Sequence, residues 1–249
     1  MGYLRFLWTA LTVVVVLILC TPFLLVGFVI GWFNMELRER YAVRCMHVAF
    51  RIWLFAAGTR VHLEGLENIP KDQPVLYIGN HRGFFDVVVS YVYVPGRTCY
   101  IAKKEFKKVP FLSWWMMLLN DLFIDRNDIK QGLKVILQAI EYVKRGMNIC
   151  IFPEGTRNKT EEEMLPFHEG SFKIATKTDC AIVPMTMYNM EQVFEAHFPK
   201  IESTDVYVRF GKPIYVKDLS AEDKKRVGAY VRDIMIEEYR DMKKSYENA

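Results

Sequence analysis

Charge is missing from the start of this chain: between Phe6 and Met35, 30 residues pass without one Asp, Glu, Lys or Arg, in a protein of 249. That absence excludes a solvated loop or surface helix and marks a membrane segment. A straight helix of that length measures about 45 Å, whereas a hydrocarbon core is roughly 30 Å thick, so the segment must tilt or bend. Pro22 removes a backbone donor near its middle and biases Thr21 away from helical angles. Two arrangements fit: one tilted span, or two half-length helices forming a hairpin that dips into one leaflet. The hairpin is favoured, because each half is too short to span alone. No A-x-A-like site closes the apolar run, which exceeds the usual core of about 7 to 15 residues, and this argues against a cleaved secretory signal. Arg38, Arg40, Arg44 and Arg51 follow, placing what comes next on the cytoplasmic side of a cell membrane.

Cysteine is sparse and scattered. Cys20, Cys45, Cys99, Cys150 and Cys180 form no C-x-x-C pair, which argues against a zinc or disulfide framework; no metal and no cofactor is expected. Internal repeats and low-complexity tracts are absent too. The net charge of +4 does not call for a nucleic-acid partner, and none is expected. Local clustering matters more: between Arg97 and Lys108 five basic residues stand against one acid, Glu105.

What is present is an alternation. Residues 36 to 57 read as an amphipathic helix suited to a lipid surface. Strand-like runs then recur: "VHLEG", "PVLYIGN", "CYIAKK", "LFIDR", "NICIFP", "CAIVPMTMY" and "DVYVRFGKPIYV". Helical patterns lie between several of them. The clearest has Leu133, Ile136, Leu137, Ile140 and Val143 at helical spacing, with Asn127 or Asp128 to cap its start and Gly146 its end. Further helices are expected from Ser171 to Thr178 and from Ala221 to about Lys244, the last capped by Ser220 with Asp223 three residues on. The pattern implies an α/β fold: a mixed, mostly parallel sheet covered by helices, with an N-terminal membrane-embedded helical segment. Residues 1–57 form the membrane hairpin or span plus amphipathic helix, and residues 58–249 the catalytic domain.

The polar residues that carry chemistry fall after strands, where such sheets usually meet ligands. "NHRGFFD" follows "VLYI", "DR" follows "LFI", and "PEGTR" follows "ICIF". On one helix His81 and Asp86 would stand about 140° apart and never touch. With His81 in the loop and Asp86 in the first turn of the next helix they meet, and the carboxylate then fixes one imidazole nitrogen while the other removes a proton. On spacing alone the pair suits a surface-loop histidine beside a helix-capping aspartate at least as well. Neither Ser90 nor a nearby cysteine completes a nucleophile elbow, so the nucleophile is expected on the substrate. In "FPEGTR", Gly155 permits a positive φ or a close backbone approach, its amide and that of Thr156 suit an anion, and Arg157 suits bidentate phosphate binding. A structural turn with a solvated arginine fits the same residues. Arg126 and Lys103 are further cationic candidates, although lysine runs are commonly solvated faces.

In that order and spacing, "NHRGFFD", "LFIDR", "FPEGTR" and "IVPM" resemble the four blocks of the glycerolipid acyltransferase family, most of all its lysophosphatidic acid acyltransferases. The blocks run from Asn80 to Met185. The resemblance implies that His81 is the general base and Asp86 its partner. It also implies that Arg126, Glu154, Gly155 and Arg157 shape the site for a glycerol phosphate acceptor, and that Pro184 supports the acyl side. The expected partners are membrane lipid, lysophosphatidic acid, and acyl-CoA or acyl carrier protein as donor. Three departures stand out: Gly83 and Asn158 where serine is common, and Asn120 where glycine is. Rival readings are an acyltransferase for another lysophospholipid or for glycerol 3-phosphate, a membrane-bound thioesterase, and a scaffold retaining a dead acyltransferase fold. The run Val109 to Leu119 either walls an acyl slot or packs the core.

Overall fold

The alternation of short β-branched runs and amphipathic segments becomes a seven-stranded sheet with helices on both faces in a computed structural model that describes residues 1–247. The strands are β1 (Arg60–Glu64), β2 (Val75–Gly79), β3 (Thr98–Lys103), β4 (Leu122–Ile124), β5 (Asn148–Ile151), β6 (Ala181–Tyr188) and β7 (Asp205–Phe210). The helices are α1 (Gly2–Leu19), α2 (Thr21–Phe33), α3 (Met35–Ala57), α4 (Phe84–Tyr93), α5 (Leu112–Leu118), α6 (Ile129–Lys144), α7 (Lys173–Thr178) and α8 (Val227–Glu247). Strand order is β1-β7-β6-β2-β5-β3-β4, and every neighbouring pair is parallel except β6 with β7. Each expected strand run forms a strand. The last is shortened most: after Phe210 the chain turns, and Ile214 makes a single bridge to Ile182.

Central strands buried on both faces explain why β2 and β6 read as unbroken apolar runs. Strand alternation sends Tyr77 to one core, with Ala42, Phe50, Trp53, Val89 and Phe210. Leu76 and Ile78 enter the other, with Ala139, Ile149, Ile174 and Met235. The first core includes α3 together with Val16 and Leu24 of the apolar segment, so the N-terminal helices share a core with the sheet.

The apolar segment bends and does not double back. Helical bonding continues across the junction, with the Cys20 amide donating to Val16 O and the Leu24 amide to Cys20 O, while the Thr21 hydroxyl donates to Leu17 O. Both α1 and α2 lie against α3, which therefore supplies the returning arm of the hairpin. This corrects the expectation of two apolar halves folded on each other: one missing proline bond kinks a helix, and reversal needs a loop that the sequence lacks. α1 is long and apolar enough to cross a membrane by length and composition, and Leu4, Leu7, Leu11, Ile18 and Leu19 are exposed on it.

Two helix expectations shift. In α6 Asp128 caps the start, accepting the Gln131 amide at 3.0 Å, and Ile136, Ile140 and Val143 are buried, but Leu133 and Leu137 are half exposed. Ser220 does accept the Asp223 amide, yet it closes only a 3-10 turn. α8 begins later, where Glu169 from a distant loop accepts the Gly228 and Ala229 amides at 3.0 and 3.2 Å. The run from Val109 to Leu119 contributes α5, whose Trp115, Met116 and Leu118 are core residues, so packing is its main part.

A buried acid is packed against aromatic rings. Asp121 accepts the Tyr100 amide at 2.8 Å and the Tyr91 hydroxyl at 2.5 Å, beside the stacked Tyr91 and Tyr100 rings. Burial pushes its pKa up to about 7, with the two hydrogen bonds pulling the other way. In the unfolded chain the same group ionises near pH 4, roughly its ordinary value. Between those values the folded state holds a proton that the unfolded state has lost, so this group's stabilisation is complete below about pH 4 and is lost as pH rises to about 7. Asp121→Asn keeps an acceptor for the Tyr100 amide and removes the titration. Thermal unfolding across this range is expected to show the variant gaining on wild type as pH rises; parallel pH profiles would contradict the assignment.

Candidate functional site

β2 lies in the middle of the sheet, and its carboxyl end delivers Asn80 and His81 to the edge where β5 also ends. Asn80 is buried because it works as a backbone mimic: its Nδ2 donates to Met187 O at 2.9 Å and its Oδ1 accepts the Met187 amide at 2.7 Å. That clamp fixes where the loop leaves the sheet. His81 Nδ1 then lies 2.8 Å from Asp86 Oδ2. The same oxygen accepts the amides of Arg82 at 2.6 Å and Gly83 at 2.7 Å. Asp86, at the third position of α4, thus closes half of a capping box while it orients the imidazole. The His81 ring is 15% exposed, rests against Phe152 at 4.8 Å between centroids, and has no protein partner for Nε2 among the described residues. The arrangement is a fixed imidazole with its free nitrogen at the surface, ready to exchange a proton.

Glu154 ties the loop after β5 to this one. Its Oε1 accepts the His81 amide at 2.7 Å and its Oε2 the Leu165 amide at 2.9 Å, while the Asn158 amide donates to His81 O at 2.7 Å. Burial pushes the Glu154 pKa up, opposed by those two amides. Each Glu154 oxygen receives a backbone amide, so this side chain ties the two loops of the site together. Gly155 has the positive φ the sequence suggested, but not the anion-facing amide. Its amide donates to Phe152 O within the turn and does not line an anion cradle. Its φ is +70°, and a Cβ there would stand 2.9 Å from His168 Nε2. The positive φ is what favours glycine here, since the His168 ring could move aside. Thr156 and Arg157 are exposed on the same turn, with Arg157 Nη1 2.8 Å from Glu195 Oε1.

The other cations lie further along the edge. Lys103 ends β3, two strands from β2, half exposed and 3.5 Å from Glu105. Arg126 follows β4, three strands away, and lines a cavity of about 360 Å³ with Leu133, Ile136, Phe152, Gly155 and His168. Phe152 is therefore shared between the cavity wall and the His81 ring. The structure brings His81, Asp86, Glu154 and Asn158 into one hydrogen-bonded unit, and sets Lys103 and Arg126 outside it. Pro184 sits within β6 in register with Ile78, one residue before the end of β2.

Each departure from the resembled blocks has a local cause. Asn120 has φ +60°, which asparagine tolerates better than most residues, and its side chain bonds Arg38 and, at 2.5 Å, Glu39 of α3. Asn158 is buried and shapes the following turn, accepting the Thr160 amide at 2.9 Å and donating to Glu162 O at 2.7 Å. At Gly83 a Cβ would stand 2.8 Å from Glu195 Oε2. Phe152 opens the motif "FPEGTR" without having been assigned a part, and His168 and Glu195 carry no signal in the sequence.

Comparison with known proteins bears on the family and the fold. The family model described as acyltransferase matches residues 60–188. The 1-acyl-sn-glycerol-3-phosphate acyltransferase of Saccharomyces cerevisiae is 31% identical over 92% of this chain and 72% of its own length. That of Borreliella burgdorferi is 29% identical over 80% of this chain and 79% of its own. The crystal structure of the 1-acyl-sn-glycerophosphate (LPA) acyltransferase PlsC from Thermotoga maritima has the same fold, with a TM-score of 0.79, 97% of each chain covered and 24% identity.

Glu154 supplies a direct test of the loop tie. In Glu154→Gln one oxygen becomes an amide that faces a backbone N–H, leaving a buried donor unmatched at a cost of about 1–3 kcal/mol. A lowered Tm is expected, since the His81 loop loses one of its two ties to the loop after β5. A wild-type Tm would show that the tie carries little.

Proposed function

Because this chain belongs to the acyltransferase family, we propose that it moves a fatty acyl group from an acyl thioester to the sn-2 hydroxyl of 1-acyl-glycerol 3-phosphate, giving phosphatidic acid. The observation that carries this reading is the His81–Asp86 pair at the carboxyl end of β2, with Nδ1 held at 2.8 Å and Nε2 unengaged. Nε2 takes the hydroxyl proton while the alkoxide oxygen bonds the thioester carbonyl carbon. Asp86 stabilises the imidazolium so formed. The tetrahedral intermediate collapses, the carbon–sulfur bond breaks, and the leaving thiolate recovers the proton from His81.

Direct transfer, without an acyl-enzyme, is supported by the absence of a suitable nucleophile among the described residues. Ser90 donates its hydroxyl to Val87 O. Cys99, Cys150 and Cys180 are buried, and burial pushes their thiol pKa values up, away from the reactive thiolate. A positioned base supplies about 10²- to 10⁴-fold, so alignment of the acceptor must contribute much of the remainder. Arg157 and Thr156, exposed on the turn tied to His81, are the candidate contacts for the acceptor phosphate. Lys103 and Arg126 extend the positive edge and suit the phosphates of a donor, acyl-CoA or acyl carrier protein, both of which carry phosphopantetheine. Residues 1–57 act as the membrane unit. The exposed apolar side of α1 and α2 rests in the cytoplasmic leaflet of the cell membrane, keeping the site near a lysolipid acceptor and a diacyl product that both reside there.

Three measurements test this reading. Purified protein incubated with a panel of lysolipids, glycerol 3-phosphate and both thioester types is expected to release thiol only in step with diacyl product from lysophosphatidic acid; thiol release without acceptor would favour a thioesterase. His81→Ala is expected to lower kcat by at least about 10²-fold. In Asp86→Asn the amide oxygen can still receive all three donors, with the amide nitrogen at the Oδ1 position, which has no partner. That variant is expected to fold and yet lose about 10²- to 10⁴-fold in kcat, because the imidazolium has lost its counter-charge. Near wild-type turnover in either variant would remove the base assignment.

A further inference from the structure

Acyl transfer as written above gives no task to Glu195, yet this side chain touches both halves of the site. It projects from the connection between β6 and β7, and its Oε1 receives two donors: the Phe84 amide at 2.8 Å and Arg157 Nη1 at 2.8 Å. Phe84 opens α4, the helix whose Asp86 holds His81. One carboxylate oxygen therefore joins the helix that aims the base to the guanidinium assigned to the acceptor phosphate. The other oxygen is buried, has no hydrogen-bond partner, and fills the space where a side chain at residue 83 would begin. Gly83 and Glu195 form a matched pair, since a serine at 83 would press a Cβ to 2.8 Å from Oε2.

We propose that Glu195 is a positioning residue for acceptor recognition, holding the Arg157 guanidinium at a fixed place relative to His81. This rests on the reading that Arg157 binds the acceptor phosphate. An arginine side chain has much rotamer freedom, and Arg157 is 45% exposed against 21% for Glu195. The less mobile carboxylate, pinned by a backbone amide, orders the more mobile guanidinium before substrate arrives. A guanidinium has five N–H donors, and Glu195 engages only Nη1, so others remain for phosphate oxygens. The phosphate and the sn-2 hydroxyl belong to one small glycerol unit. Fixing the distance from Arg157 to His81 therefore selects acceptors in which a phosphate and a free hydroxyl lie on adjacent carbons. The carboxylate also offsets part of the arginine charge, but such half-exposed pairs are weak in water, and the ordering effect is the larger.

The test compares kcat and KM for lysophosphatidic acid in mixed micelles, with acyl-CoA as donor, across a set of variants. Glu195→Ala is expected to raise KM about 5- to 10-fold with a much smaller change in kcat, and Glu195→Gln, which keeps an acceptor for both donors, to stay near wild type. Gly83→Ser combined with Glu195→Ala restores a side-chain cap to α4 without an anchor for Arg157. Its Tm is expected to recover while KM stays high; recovery of KM with the cap would reduce Glu195 to a stabilising cap and overturn the inference. In an Arg157→Ala background, Glu195→Ala is expected to add nothing to KM, and an undiminished further rise would also overturn it. A raised KM in Arg157→Ala beside a wild-type KM in Glu195→Ala would sink this inference alone. A wild-type KM in Arg157→Ala would sink the phosphate reading and this inference with it.

Discussion

One oxygen atom, Asp86 Oδ2, decides the shape of the site. By accepting the His81 ring nitrogen and the amides of Arg82 and Gly83 together, it makes the start of α4, the path of the loop and the direction of the imidazole a single geometric choice. A carboxylate receiving several donors in a buried place offers charge-assisted bonds that no neutral acceptor matches. Removing the charge leaves the shape available and takes away the stabilisation of a protonated imidazole. That separation explains how a residue can be at once structural and chemical.

Glutamates repeat the device at longer range. Glu154 joins the loops after β2 and β5, Glu169 caps α8 from a distant turn, and Glu195 caps α4 while holding Arg157. Each satisfies backbone amides that a helix start or an irregular loop would otherwise leave unpaired. The carboxyl edge of the sheet beside His81 is thereby built from loops without regular pairing, yet with little freedom at the His81 amide. Where such a loop must also bend tightly, as at Gly155 beside His168, the absence of a side chain is part of the same solution.

The N-terminal helices show what apolar composition does and does not specify. The uncharged run specified a long apolar helix, and Pro22 specified a break in its hydrogen bonding. Whether the bend became a reversal depended on α3, which packs along both α1 and α2 and carries Trp53 and Phe50 into the same core as β2 and β6. α3 was legible as amphipathic, but its partners were not. Asn120, reached by Arg38 and Glu39 of α3, links that helix to the segment leading into β4.

All seven strands, the mostly parallel sheet and the start of α6 at Asn127 or Asp128 were legible in the sequence, because they depend on side-chain period and on turn chemistry; the meeting of His81 with Asp86 was one of two readings the sequence offered, and the fold selected it. The late start of α8, the exposure of Leu133 and Leu137, and the hydrogen-bond partners of Glu154 and Gly155 were decided only by the tertiary structure. So was the contact between Glu195 and Arg157, which are 38 residues apart. In these cases the deciding partner comes from a remote segment, and one-dimensional pattern carries no information about which buried amide or cation a distant carboxylate will reach.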